Sequence, residues 1–99
     1  MIEIVQTKTF AKWHDGLKDK RGAAKISQRL VRVQSGLVGD VKFFDGIGEL
    51  KIDYGPGYRV YFVKQGSLII VLLNGGDKKS QKRDITKARE MAKELEDGN

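Results

Sequence analysis

The chain contains no cysteine and a single histidine. Without cysteine there is no disulfide framework and no thiolate metal site, which excludes the small secreted scaffolds held by cross-links. One imidazole cannot build a zinc site. Neither a metal nor a cofactor is therefore expected. Long apolar runs are also missing: the longest, Leu68 to Leu73, is far too short to span a bilayer. No apolar run follows basic residues near the N-terminus, as a signal peptide would require. These absences predict a cytoplasmic protein with no membrane partner. Negative charge is the scarcer sign, with 13 Asp and Glu against 19 Lys and Arg and a formal charge of +6. A field of that sign attracts polyanions, so nucleic acid or an acidic protein is the natural partner.

What is present is a globular composition, 39% hydrophobic and 32% charged over 99 residues. A chain of this length encloses one core, so residues 1–99 are read as a single domain. Alternation in Met1 to Gln6 predicts a short opening strand, an edge or pairing strand. Phe10, Trp13 and Leu17 then recur on one helical face, with Thr7 or Thr9 as the cap. Lys20-Arg21-Gly22 interrupts the pattern, and Ala23, Ile26, Leu30 and Val33 restart it, predicting an antiparallel pair of helices.

Gly36 closes the second helix and Gly39-Asp40 marks a loop. Strand-like runs follow at Val41 to Phe44, Ile47 to Tyr54, Tyr58 to Lys64 and Ser67 to Asn74. The last is apolar on both alternate sets and is expected to be central, covered on both faces. A glycine-opened basic loop, Gly75 to Ser80, leads into a final helix with Ile85, Ala88, Ala92 and Leu95 as its apolar positions. The predicted fold is α+β: an N-terminal strand and two-helix hairpin packed on an antiparallel sheet of four to five strands, with a C-terminal helix.

Chemistry concentrates on the hairpin around Gly55-Pro56-Gly57. Leu50, Ile52 and Tyr54 alternate with Glu49, Lys51 and Asp53, and Tyr58, Val60 and Phe62 alternate with Arg59, Tyr61 and Val63. If the two apolar sets share a face, the loop must be odd in length. A three-residue loop puts Tyr54 opposite Tyr58, Asp53 opposite Arg59 and Lys51 opposite Tyr61. Lys51, Arg59 and Tyr61 would then lie on the open face of the sheet. A ribonuclease working through the 2′-hydroxyl needs a base, a cation for the crowded phosphorane and an acid for the leaving oxygen. Arg59 suits the second role, because its fork grips two phosphate oxygens. Lys51 could neutralise charge, and Tyr61 could donate a hydrogen bond or stack on a base. The same residues also make an ordinary solvated sheet face with an Arg59 to Asp53 salt bridge.

Lys78, Lys79 and Lys82 precede or open the last helix, where free backbone N–H groups favour an anion. The spacing is not that of a Walker loop. Arg29 and Arg32, with other helix cations, could reach RNA phosphates. His14, next to Trp13 and remote from the hairpin, is read as a surface or helix-packing residue, and Trp13 as part of the core stripe.

Several segments together resemble a known family: Phe10-x-x-Trp13, Arg29-Leu30-x-Arg32, Gly39-Asp40-x-Lys42, Glu49-Leu50-Lys51, Gly55-Pro56-Gly57-Tyr58-Arg59-Val60-Tyr61-Phe62 and Leu73-x-Gly75-Gly76-Asp77-Lys78-x-x-Gln81. Across nearly its whole length the chain resembles the RelE/ParE superfamily, in its HigB-like addiction module killer branch. The resemblance implies a toxin of a two-gene toxin–antitoxin module, with a helix-turn-helix antitoxin as partner and promoter DNA bound only through the complex of the two. RelE-like members cut messenger RNA on the ribosome without a metal. By motif, the catalytic role carries to Arg59 and Lys51, and more weakly to Lys78 and Lys79. The C-terminal Tyr or His–Asp cluster of some relatives is missing, so the general base has no candidate. ParE-like members inhibit DNA gyrase without comparable catalytic residues. A non-toxic nucleic-acid-binding module is a further alternative.

Overall fold

The computed structural model describes residues 1–97. The elements run β1 (Glu3–Gln6), α1 (Lys8–Asp15), α2 (Lys20–Gln34), β2 (Val41–Phe44), β3 (Ile47–Ile52), β4 (Tyr58–Gln65), β5 (Ile69–Gly76) and α3 (Gln81–Asp97). The order and the α+β class are those predicted. The helix caps follow from side-chain chemistry. Thr7 Oγ1 accepts from the Phe10 amide at 3.1 Å and donates to the Leu73 carbonyl at 2.8 Å, so one hydroxyl starts α1 and pins it to β5. Asp19 accepts from the Gly22 amide at 2.9 Å. That cap makes Lys20-Arg21-Gly22 the first turn of α2, and the interruption between the helices falls at Gly16 to Asp19 instead.

The five strands form one sheet in the order β1-β5-β4-β3-β2. It is mixed rather than antiparallel throughout: β1 pairs parallel with β5, and the other pairs are antiparallel. A helical crossover separates β1 from the meander, which frees its direction from the alternation that tight turns impose. The centre of the sheet is β4, and β5 lies between it and the β1 edge, although Ile70 to Gly76 are all buried as the apolar pattern of that strand predicted. Gly75 and Gly76 complete β5, so the basic loop begins at Asp77. Between β2 and β3 the chain reverses through Asp45 and Gly46, both at positive φ, the two-residue turn that matches strand twist.

Two cores lie on opposite faces of the sheet. Phe10, Ile26 and Val33 pack with Leu50, Ile52, Tyr58, Val60, Phe62 and Leu72 beneath α1 and α2. The second face is not open. Ile47, Tyr61, Leu73 and Ala88 are buried there, with Ile85, Ala92 and Leu95 of α3 packed against them. A bulge in β5 opposite Tyr61 and Phe62 interrupts the alternation, so that Leu73 and Asn74 both turn toward α3 while Leu72 joins the other core. Gly48 makes room for the ring of Phe62, its cross-strand partner, which any side chain at 48 would strike. No helix among the described residues is long and apolar enough to cross a membrane.

Tyr58 ties the cap of α2 to the centre of the sheet. Its hydroxyl donates to Asp19 Oδ2 at 2.8 Å, and burial, then the neighbouring carboxylate, push its pKa up to about 12. A phenol whose pKa is raised on folding contributes stability that is complete below the unfolded value near 10 and is lost as pH climbs through the folded value. Thermal melting of wild type should therefore fall faster between about pH 10 and 12 than melting of Tyr58→Phe, which lacks the titrating group. Parallel curves for the two proteins would contradict this linkage.

Candidate site at the β3–β4 turn and the α1–α3 cleft

Lys51 pairs directly with Arg59, Glu49 with Tyr61 and Ile52 with Tyr58. The expected partners, Asp53 for Arg59 and Lys51 for Tyr61, are displaced by two residues. The strands part at Ile52, and the loop is Asp53 to Gly57 rather than Gly55 to Gly57. Tyr54 leaves the ladder because its amide donates back to the Ile52 carbonyl at 2.9 Å and its carbonyl accepts from Gly57 at 3.1 Å. Gly55 and Gly57 supply the positive φ values this turn needs. Five is also odd, so the face assignment stands, and Lys51 and Arg59 are cross-strand neighbours on one side of the sheet.

That side is covered where Arg59 and Tyr61 lie. The Arg59 side chain is 8% exposed and Tyr61 is fully buried, which corrects their expected place on an open face. The guanidinium is spent inside the protein. Its Nη1 donates to the Gly57 carbonyl at 2.6 Å, and its Nε lies 3.9 Å from Glu49 Oε2. Glu49 is itself buried and accepts from Gln81 Nε2 of α3 at 2.9 Å. Burial, then the Glu49 carboxylate, push the Tyr61 hydroxyl above the ordinary phenol range. Neither group presents itself to a phosphate. The cause is α3, whose apolar stripe covers the same strands whose alternating charges suggested a solvated face.

Other predicted residues remain accessible. Lys51, Lys78, Lys79, Lys82 and Arg32 are exposed. The Lys78 amide reaches the Pro56 carbonyl at 3.3 Å, which brings the basic loop against the β3–β4 turn. At Gly57 an added Cβ would meet Arg59 Nη1 on one side and come within 3.5 Å of Lys78 Cβ on the other. Lys78 thus sits beside a glycine turn with Arg59 buried beneath it, and Lys51 faces Arg59 across the ladder. Arg29 is engaged elsewhere. Its guanidinium donates to Val38 O at 2.5 Å and Asp40 O at 2.9 Å and holds the loop after α2. With Lys25, Arg32 and Lys51 it lines a shallow groove of about 340 Å³. His14 stacks on Phe10 at 5.8 Å, with Nε2 3.0 Å from the Ala23 carbonyl, joining α1 to α2.

A second feature escaped the sequence pattern. A cleft of about 980 Å³ opens between α1 and the start of α3, over the end of β5. Lys12, Lys79, Arg83 and Lys87 line it together with Trp13, Asn74 and Asp84. Gly75 forms the floor beneath Trp13, and any side chain at 75 would collide with the indole. Asp84 is 8% exposed and accepts from Ser80 Oγ at 2.5 Å. The one sequence signal was Arg83 and Lys87, four residues apart on one face of α3.

The Arg59–Glu49 pair makes a prediction about stability. Removing one member of a buried pair strands the other charge, at a cost of about 3–5 kcal/mol, whereas apolar replacement of both is far milder. Arg59→Met should lower the denaturant midpoint strongly, and adding Glu49→Leu should restore much of the loss. A single variant as stable as wild type would show that the pair carries no buried charge. Among known proteins, no family model matches the chain. It is 48% identical over 95 residues to a Haemophilus influenzae protein described as an uncharacterized protein, an alignment covering 95% of this chain and 96% of that one. The chain belongs to the same family as this Haemophilus influenzae protein.

Proposed function

We propose that the protein is a toxin of a type II toxin–antitoxin module, RelE/ParE-like in fold, that acts on messenger RNA at the ribosome. The observation that carries the reading is exposed Lys78 seated against the Gly57 turn, with Lys79 and Lys82 continuing the basic surface along the loop and first turn of α3; exposed Lys51, across the ladder from Arg59, adds a further cation. The element order, a strand, two helices, four strands and a helix, is that read from the sequence pattern. A helix-turn-helix antitoxin is the proposed partner, and promoter DNA would be reached only through their complex.

The burial of Arg59 changes how such a toxin would work. Phosphate contact falls to the ammonium groups, and Arg59 becomes a positioning residue that fixes the turn from below. Cleavage of a substrate already strained by the ribosome would then draw on cationic stabilisation of the phosphorane. Tyr61 supplies neither acid nor base while it stays under α3. The same burial favours a second reading, a non-enzymatic ParE-like inhibitor of gyrase, in which the basic surface serves binding alone.

Lys51→Ala combined with Lys78→Ala removes two charge-assisted contacts, each worth about 1.5–3 kcal/mol. Growth arrest and messenger cleavage, mapped by primer extension in a translating extract, should fall at least about tenfold while the melting temperature is unchanged. Intact messenger with wild-type protein, together with loss of supercoiling by purified gyrase, would replace this reading with the second. Intact messenger and normal supercoiling would remove both.

A further inference from the structure

The cleft between α1 and α3 differs in kind from the basic surface at the turn, because its cations stand at a rim and its acceptors at a floor. Arg83, 82% exposed at its side chain, is one rim group, with Lys12, Lys79 and Lys87. The floor is acceptor-rich. Asn74 is 3% exposed, and its amide nitrogen donates to the Asp84 carbonyl at 3.0 Å. That carbonyl can only accept, which fixes the orientation of the amide and leaves Asn74 Oδ1 without a donor among the described residues. The Asp84 carboxylate lies beside it, and the indole of Trp13 forms a wall over Gly75.

Each part restricts the ligand. Four cations at the rim call for an anion such as phosphate. The Asp84 carboxylate repels that anion from the floor, so the charged end must stay outside. Asp84 already accepts from Ser80 Oγ and lies 3.9 Å from Arg83 Nε, so the inner end must carry a hydrogen-bond donor for Asn74 Oδ1, the floor acceptor left without a partner. An indole wall favours a flat ring. A molecule with phosphate at one end, a planar ring and donor groups at the other is a nucleotide, and the cleft is in the size range of small-ligand pockets.

We propose that this cleft binds one nucleoside monophosphate unit, its phosphate on Lys12, Lys79, Arg83 and Lys87 and its base amine at Asn74 and Asp84 beside Trp13. The inference rests on the proposed affinity for nucleic acid and not on toxicity. Bases with an exocyclic amine fit the floor better than uracil, whose two carbonyl groups would face the Asn74 and Asp84 oxygens. The unit has two sources, a free nucleotide or one residue of an RNA strand, and both present the same chemistry.

Trp13 is the sole tryptophan, so its fluorescence reports occupancy directly. The full chain is titrated with adenosine monophosphate, uridine monophosphate, inorganic phosphate and a triadenylate RNA. Adenosine monophosphate should bind at least about tenfold tighter than inorganic phosphate, with uridine monophosphate between them. Arg83→Glu with Lys87→Glu, both on the exposed face of α3, should weaken adenosine monophosphate at least about tenfold with no change in melting. Asn74→Leu should narrow the advantage over inorganic phosphate. Because Asn74 also braces α3, the charge-reversal variant decides if Asn74→Leu does not fold. Equal affinity for the triadenylate assigns a free nucleotide, and tighter binding assigns a strand. Inorganic phosphate binding as well as the nucleotide, or wild-type affinity in the charge-reversal variant, would overturn the proposal. These titrations use no ribosome, so a failure of the toxin reading and a failure of the pocket show separately.

Discussion

Arg59 and Glu49 form a buried ion pair, 3.9 Å apart, at the junction of the sheet, the β3–β4 turn and α3, and the hydrogen bonds that each makes tie those elements together. The guanidinium holds the Gly57 carbonyl and so sets the turn. The carboxylate takes a hydrogen bond from Gln81 and so seats the first turn of α3. A buried charge left without its partner is costly, so neither the turn nor the helix can move without the other. The cation that the sequence advertised as a phosphate grip is instead the post on which two basic surfaces are mounted.

Those surfaces are exposed for a simple reason. Lys51 sits across from Arg59 in the ladder, and Lys78 is drawn in by the contact of its amide with Pro56. Their ammonium groups remain solvated while the guanidinium below is neutralised by Glu49. A surface of this kind presents mobile point charges rather than a fixed fork. On the other side of β5, the paired glycines Gly75 and Gly76 leave space that Trp13 and Asp84 occupy, and the cleft between α1 and α3 results. Both features descend from glycines placed where a side chain would collide.

Much of this was legible in the sequence. A threonine cap at Thr7 or Thr9, the Phe10 and Ile26 faces, the break between Phe44 and Ile47 and the α3 stripe of Ile85, Ala88, Ala92 and Leu95 all rest on local periodicity and turn chemistry, which sequence carries directly. The parity of the β3–β4 loop was legible as well, but parity alone does not separate a three-residue loop from one of five. The register of Lys51 with Arg59 therefore waited for the structure. Arg59 and Tyr61 were misplaced because alternation of charge was read as exposure, although the apolar stripe of α3 required a sheet face of its own. Asn74, Trp13 and Lys87 come together only through tertiary packing, and no spacing along the chain announces that.

In the proposed function, exposed lysines, and not Arg59, hold nucleic acid. The salt dependence of affinity for a single-stranded RNA tests it most directly, because each phosphate neutralised releases counterions and contributes about −0.7 to the slope of log K against log salt concentration. A slope of about −2 to −3, corresponding to three or four engaged cations, is the predicted result. A slope near zero, or binding too weak to measure at low salt, would contradict the account.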